Sequence, residues 1–236
     1  VSRTIDLNAD LAEGQPHDAR LLRLVTSANV SCAAHAGDPS TIRQALLLAR
    51  KYDVAVGAHV GDYDPANFGR LERPVTAARC HDAFAACLYQ IGALIAYARH
   101  FDVKVRYVKP HGALYNQANR DVRLGKAVAA ASAQFGVPLV VLAGSPLHRK
   151  LRGEIDLIAE GFADRAYRPD GSLVPRGEPG AVLHDVPTIV EQVVRLIDDR
   201  GVETVCLHGD TPDAVALAKA VRKALAKRGI TLKAVV

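Results

Sequence analysis

Short apolar runs alternate with amphipathic helical stretches along the whole 236-residue chain, and most of the runs end in polar residues. Strand-like runs fall at about 3–8, 28–32, 54–59, 104–109, 138–143, 155–159 and 203–208, and ITLKAVV (230–236) reads as an eighth strand or a tail. They are rich in Val, Ile, Leu and Ala rather than cleanly alternating, as in strands buried on both faces. Between them lie helical patterns over 39–51, 82–99 and 212–228. The stretch 82–99 carries Phe84, Cys87, Leu88, Ile91, Ile95 and Ala98 along one helical stripe. Asp38 or Ser40 with Pro39 is a start signal for the first of these helices, and Thr211 with Pro212 repeats it for the last.

Strands that alternate with helices form parallel sheets, and function gathers at their carboxyl ends. Four runs here end at or beside histidine: His35, His59, His111 and His208, each flanked by glycine or small residues. The first run ends instead in Asp6, Asn8, Asp10 and Glu13. Polar ends spread over the whole chain favour a closed barrel over an open sheet, which concentrates its site at one switch point. No GxGxxG follows the first strand. The expected architecture is one α/β domain over residues 1–236, an irregular TIM-like (β/α) barrel of seven or eight strands. Two long excursions, 60–76 and 160–180, are rich in Gly, Pro, Asp and Arg and should lie on the histidine face as binding loops or lids.

Several classes are disfavoured. There is no apolar run of about 18 residues, so no membrane span is expected. The chain does not open on a signal-peptide pattern, and a cytoplasmic location is the expectation. The formal charge of +5 is mild, and the basic stretch KAVRKALAKRG (219–229) reads as a solvated helix face without nucleic-acid motifs. Cys32, Cys80, Cys87 and Cys206 form no CxxC pair, and they read as reduced, packed thiols.

Individually the polar residues have structural explanations. Asp38 and Asp210 suit helix caps, Asp6 and Asn8 suit the first βα turn, and His111 after Pro110 suits a bonded turn. Together they describe a site, because carboxylates and histidines on one rim are costly unless paired or bound to a ligand. Candidate acid–base groups are Asp10, His35, His59, His111 and His208, with Lys109 placed to stabilise developing negative charge. Arg70, Arg165 and Arg176 on the excursions suit a carboxylate or phosphate. HExxH and HxH spacings are absent, so no tightly bound metal is expected; if one binds, His35, His59, His111 and Asp10 are its ligands. The chain has neither a P-loop nor a GxSxG elbow, which leaves water as the expected nucleophile.

The blocks DLNAD with Glu13, SANVSCAAHAGDP (27–39), GAH (57–59), FGR (68–70), QIGAL (90–94), VKPHGALYN (108–116), FADRAY (162–167), PGAV (179–182) and HGDTPDAV (208–215) together resemble the LamB/YcsF family. The resemblance runs from residue 4 to about 228. It implies a barrel similar to those of sugar deacetylases and glycoside hydrolases. The implied activity is that of an A subunit that works with two partners, the B and C subunits, to open 5-oxo-L-proline to L-glutamate, with ATP and its Mg as co-substrate. In and beside these blocks, Asn8, Glu13, Arg70, Asn116, Glu160, Asp164, Arg165, Arg176 and Asp210 are the candidates for holding substrate. The alternatives are a stand-alone metal-dependent deacetylase or amidase and a non-catalytic lactam-binding subunit. The chain departs from the family pattern where DLGEG becomes DLAEG (Ala12), CGFHAGD becomes CAAHAGD (Ala33, Ala34), GAHPGYPD becomes GAHVGDYD (Val60) and FGRR becomes FGRL (Leu71). The segment between Gln192 and His208 is also shorter than the pattern. These departures bear on substrate and partner docking more than on fold.

Overall fold

β1 (Arg3–Leu11) is a strictly alternating strand: Ile5, Leu7, Ala9 and Leu11 join the main apolar core, while Asp6, Asn8 and Asp10 make polar contacts within the barrel. The computed structural model describes residues 3–209 and 213–236. Asp210, Thr211 and Pro212, expected to serve as a site residue and a helix start, lie outside the described residues.

Six further strands follow in parallel: β2 (Ser27–Ser31), β3 (Ala55–Val60), β4 (Val105–Pro110), β5 (Leu139–Leu142), β6 (Leu157–Phe162) and β7 (Thr204–Leu207). Each pairs with its neighbour in sequence, and β1 pairs with both β2 and β7, so the seven close into a barrel. The last apolar piece is a strand, β8 (Ile230–Leu232), laid along Arg3–Ile5 of β1. The expected barrel is therefore the observed one, with seven strands in the ring and an eighth appended.

Helices α1 (Asp18–Leu21), α2 (Pro39–Tyr52), α3 (Ala77–His100), α4 (Gly112–Arg120), α5 (Val122–Ala133), α6 (Pro146–Leu151), α7 (Val186–Arg200) and α8 (Ala214–Lys227) connect the strands. Their apolar stripes, such as Cys87, Ile91 and Ala98 of α3, pack on the outward strand residues as one large core. Asp38 caps α2 with a full capping box, as its sequence suggested. α8 buries Ala214, Leu217, Ala218, Val221 and Leu225, which leaves much of its basic side solvated. No helix among the described residues is long and apolar enough to cross a membrane.

The barrel interior differs from the all-apolar reading of the strands. One side is apolar, with Tyr107, Val140 and Ile158 in one cluster and Leu142, Phe162 and Cys206 with Tyr115 in another. The other side is polar. Asp6 accepts hydrogen bonds from the hydroxyls of Thr26 (2.6 Å), Ser27 (2.7 Å) and Thr204 (2.5 Å). Asp6 and Asn8 are thus strand residues inside the barrel, not parts of the first turn.

Candidate active site

A cavity of about 680 Å³ opens at the carboxyl ends of the strands. Its floor includes Asp10, His59, Lys109, His111 and His208, and its walls carry Arg70 from the first excursion and Arg165 and Arg176 from the second. Both long loops therefore lie on the histidine face. Glu13 and Asn116 also line the cavity.

Lys109 is 1% exposed and is the largest fully buried side chain. Its ammonium donates to Asp10 Oδ1 (3.0 Å) and Asn8 Oδ1 (3.2 Å), and lies 2.9 Å from Glu160 Oε1. It also meets Cys206 Sγ at 3.0 Å. Burial alone would strip its proton, but Asp10, Cys206 and Glu160 overcome that, and the amine stays charged well above its ordinary range. Asn8 uses its whole amide beneath this lysine: it donates to Glu160 and Thr204 and accepts from Asn29 and Lys109. Asn8 and Glu160, expected to hold substrate, are thus not among the cavity-lining residues; they support Lys109 from below. Glu160 sits inside β6, because the strand runs on to Phe162 before the second excursion begins.

Beside Lys109 is a cluster of imidazoles. His59 Nδ1 donates to the Lys109 carbonyl (3.0 Å), and His111 Nε2 donates to the Phe68 carbonyl (2.9 Å). Those two bonds turn His59 Nε2 and His111 Nδ1 towards each other at 2.9 Å. Glu13 Oε1 lies 3.5 Å from the first, 3.4 Å from the second and 3.0 Å from His35 Nε2. The His35 ring stacks on His111, centroids 3.8 Å apart and planes 3° apart. His35 is not a cavity-lining residue, so it backs the cluster rather than facing the opening.

Burial lowers the pKa of His35 and, with His35 and His59 nearby, drives that of His111 well below its ordinary value. Burial also opposes charge on His59, but Asp10 and Glu13 outweigh it and its pKa rises. Burial would raise the Asp10 carboxyl; His59 and Lys109 instead hold it well below the usual range. Of the imidazoles in this cluster, His59 holds a proton most readily.

Gly61 and Gly69 lie where the backbone passes over the histidine rings. A Cβ on Gly61 would lie 2.6 Å from His35 Nδ1. One on Gly69, whose φ is +62°, would lie 2.8 Å from His35 Cβ and 3.1 Å from His111 Cδ2. The first excursion is pinned by two contacts the sequence did not single out. Asp62 and Arg79 form a buried two-point ion pair (2.5 and 2.8 Å), and Gln90 bonds both the N–H and C=O of Gly61.

On the opposite wall, His208 Nδ1 donates to Asp164 Oδ1 at 2.8 Å, and the imidazole stacks on Phe162. Burial would raise the Asp164 carboxyl, but His208 and Arg176 keep it below the usual value, so it remains an anion that orients the imidazole. Asp164, expected to contact substrate, is not among the cavity-lining residues and accepts from His208. Arg165 is buried and has its pKa reduced to about 10 by that burial and by neighbouring Arg176. Its guanidinium also donates to the carbonyls of Val174 and Ala181, which ties the second excursion down.

The donors of Glu13, His35, His59 and His111 lie within 4.8 Å of one another, and of these Glu13, His59 and His111 face the cavity and could hold a metal. Asp10, conditionally assigned as a ligand in place of Glu13, is tied to Lys109 and Asn29 and lies 3.4 Å from His59. The remaining cysteines are free thiols, and burial raises the Cys87 thiol to about 12.

Comparison with known proteins gives a consistent picture. The sequence profile of the LamB/YcsF family matches residues 5–236. A protein of Paracidovorax citrulli (strain AAC00-1), named as the A subunit of 5-oxoprolinase, is 45% identical over 249 residues, covering 97% of this chain and 98% of that one. A protein of the same name from Nocardia farcinica (strain IFM 10152) is 45% identical over 252 residues, covering 98% and 99%. The crystal structure of a lactam utilization protein from Thermus thermophilus superimposes with a TM-score of 0.88 at 36% identity, covering 98% and 99% of the two chains.

Proposed function

The chain belongs to the LamB/YcsF family, and from that membership we propose that it is the lactam-opening A subunit of a 5-oxoprolinase. In this reading it is a hydrolase component that converts 5-oxo-L-proline to L-glutamate together with its partners, the B and C subunits. The names of its relatives support a role in lactam metabolism. The observation that carries the reading is the cavity itself, in which one fixed cation and two oriented histidine systems face a wall of arginines.

A five-membered lactam is a poor electrophile, so ATP has a chemical task. Phosphoryl transfer to the amide oxygen gives an imidate that water can attack; expulsion of the ring nitrogen leaves an acyl phosphate, and a second water hydrolyses that to L-glutamate and inorganic phosphate. ATP with Mg is the co-substrate in this proposal, and the lack of a P-loop in this chain is compatible with a partner supplying phosphoryl transfer.

The residues divide the work as follows. Arg70, Arg165 and Arg176 offer forks for the substrate carboxylate. His208, held by Asp164, removes a proton from the attacking water, in the manner of an imidazole oriented by a buried carboxylate. Lys109, kept charged by Asp10 and Glu160, stabilises the negative charge of the phosphorylated oxygen as the tetrahedral intermediate forms. The proton that His208 has taken from water passes to the departing ring nitrogen.

The test is glutamate and ADP release from 5-oxoproline and ATP with all three subunits, and with each omitted. Glutamate is expected only from the complete mixture. His208→Ala should lower kcat by about 10²–10⁴-fold, the usual share of a general acid or base. A folded, complete mixture that makes no glutamate would reject the function, and full activity in His208→Ala would reject the assigned base.

A further inference from the structure

We propose that Glu13, His59 and His111 form a binding site for one divalent first-row transition-metal ion, of which zinc is the representative, with His35 behind them holding Glu13. The site overlaps the proposed hydrolase centre, but the inference rests on donor geometry rather than on turnover.

Three observations carry it. The first is shape. A tetrahedral ion with bonds of about 2.0–2.1 Å needs donors separated by about 3.3 Å. The three donor separations are 2.9 Å (His59 to His111), 3.4 Å (His111 to Glu13) and 3.5 Å (His59 to Glu13), and the His59 and His111 rings stand at 90° to each other. The His35 ring lies parallel to His111 at 3.8 Å, so one ion cannot lie in both ring planes, and its Nε2 meets Glu13 Oε1 at 3.0 Å instead.

The second is tautomer. The Lys109 and Phe68 carbonyls take the N–H groups of His59 and His111 on their outer edges. In neutral rings this points two lone pairs at each other across 2.9 Å, with a carboxylate oxygen beside both. That arrangement repels unless positive charge lies among the donors. Outer hydrogen bonds that fix the ring and aim a lone pair inward are also how metal-binding histidines are held.

The third is donor chemistry and access. Two imidazole nitrogens and one carboxylate oxygen, with a fourth position open to the cavity, suit zinc and its neighbours in the first transition row rather than calcium or magnesium. Glu13, His59 and His111 line the cavity, while His35 closes the cluster behind them. An ion held there would face the cavity and act on an entering oxygen as a Lewis acid. Spacing failed to announce the site because its ligands come from separate strand ends, which no local motif records.

The experiment reads metal, not catalysis. The purified chain is stripped with a chelator, given limiting zinc, desalted, and assayed by mass spectrometry of the metal. Co²⁺ substitution is followed by visible absorption. About one zinc per chain is expected, with intense d–d bands for Co²⁺. His111→Ala and Glu13→Gln should weaken binding about 100-fold or more while circular dichroism stays native. Five other histidines outside the cluster and the His208 wall could hold zinc adventitiously, and zinc retained equally by both variants would overturn the proposal. Wild-type protein that retains no zinc would overturn it too and assign the charge between His59 and His111 to a proton. Glutamate formation enters neither outcome, so this inference and the proposed function can fail separately.

Discussion

Ala33→Gly should stabilise this protein, whereas the same change at Ala12 should not. Both alanines sit at positive φ, +59° for Ala33 and +62° for Ala12. Both are positions where the resembled family pattern has glycine. A left-handed backbone costs an L-residue about 1–2 kcal/mol, and glycine escapes that cost. Against this, glycine loses about 0.5–1 kcal/mol more conformational entropy on folding than alanine. The backbone balance therefore favours glycine by about 0.5–1 kcal/mol at either site. The side chains then separate the two. Ala33 is exposed, so removal of its methyl sacrifices little. Ala12 is fully buried in the main core, and losing that methyl costs about 0.8 kcal/mol or more. Ala33→Gly should gain about 0.5–1 kcal/mol, and Ala12→Gly should fall within about 0.5 kcal/mol of the parent. Urea unfolding reads this as a higher midpoint at unchanged m for Ala33→Gly, and a melt as a rise of about 2–4 °C per kcal/mol. A less stable Ala33→Gly, or an Ala12→Gly that gains more than Ala33→Gly, would refute the reasoning.

Three other perturbations probe the site and its supports. Asp18 has its carboxyl raised to about 6 by burial, against an ordinary 3.8, so the folded chain holds this proton more tightly than the unfolded one. Its contribution is therefore complete at low pH and is lost as pH rises from about 4 to 6, by about 2 kcal/mol once partial exposure is allowed for; Asp18→Asn should flatten the urea midpoint over that window, and an unchanged slope would reject the assignment. Lys109→Ala leaves Asp10 and Glu160 buried without their cation and should cost about 3–5 kcal/mol in chemical denaturation, with a loss below about 1 kcal/mol counting against the charge network. Gly69→Ala drives a methyl against His35 and His111, and should reduce turnover of the three-subunit mixture by about tenfold or more; unaltered kinetics would show that the loop yields without moving the rings.

The fold is legible in the sequence because its signals are local. Each βα unit carries its own apolar run, and α2 carries its own capping box in Asp38 and Thr41. The histidine face is legible for the same reason, since each of His35, His59, His111 and His208 closes or follows one strand. The barrel interior is not uniformly apolar as the runs suggest, although Asp6-Leu7-Asn8-Ala9-Asp10 and Ser27-Ala28-Asn29-Val30-Ser31 alternate plainly once viewed with period two. The supporting residues Asn29, Tyr107 and Thr204 give no local signal because their partners are distant in sequence: Tyr107 reaches Asn29, and Thr204 reaches Asp6. Glu13 reads as a substrate ligand for a related reason. Its place among three imidazoles depends on a left-handed turn at Ala12 that periodicity does not encode.

The polar half of the barrel follows from what the cavity floor demands. A lysine at 1% exposure cannot stay charged alone, since burial of an unpaired ammonium costs several kcal/mol. Asp10 at the cavity edge supplies one counter-charge, but a ligand bound there competes for that carboxylate. Glu160, 0% exposed, supplies a second from below, where no ligand reaches. Asn8 bridges the two by accepting from Lys109 and donating to Glu160, and Asn29 holds both Asn8 and Asp10. The layer beneath the floor thus fixes the charge of Lys109 independently of what occupies the cavity. A barrel filled with Val, Ile and Leu at these levels would be easier to bury, but its floor would lose the lysine's proton whenever Asp10 was engaged elsewhere.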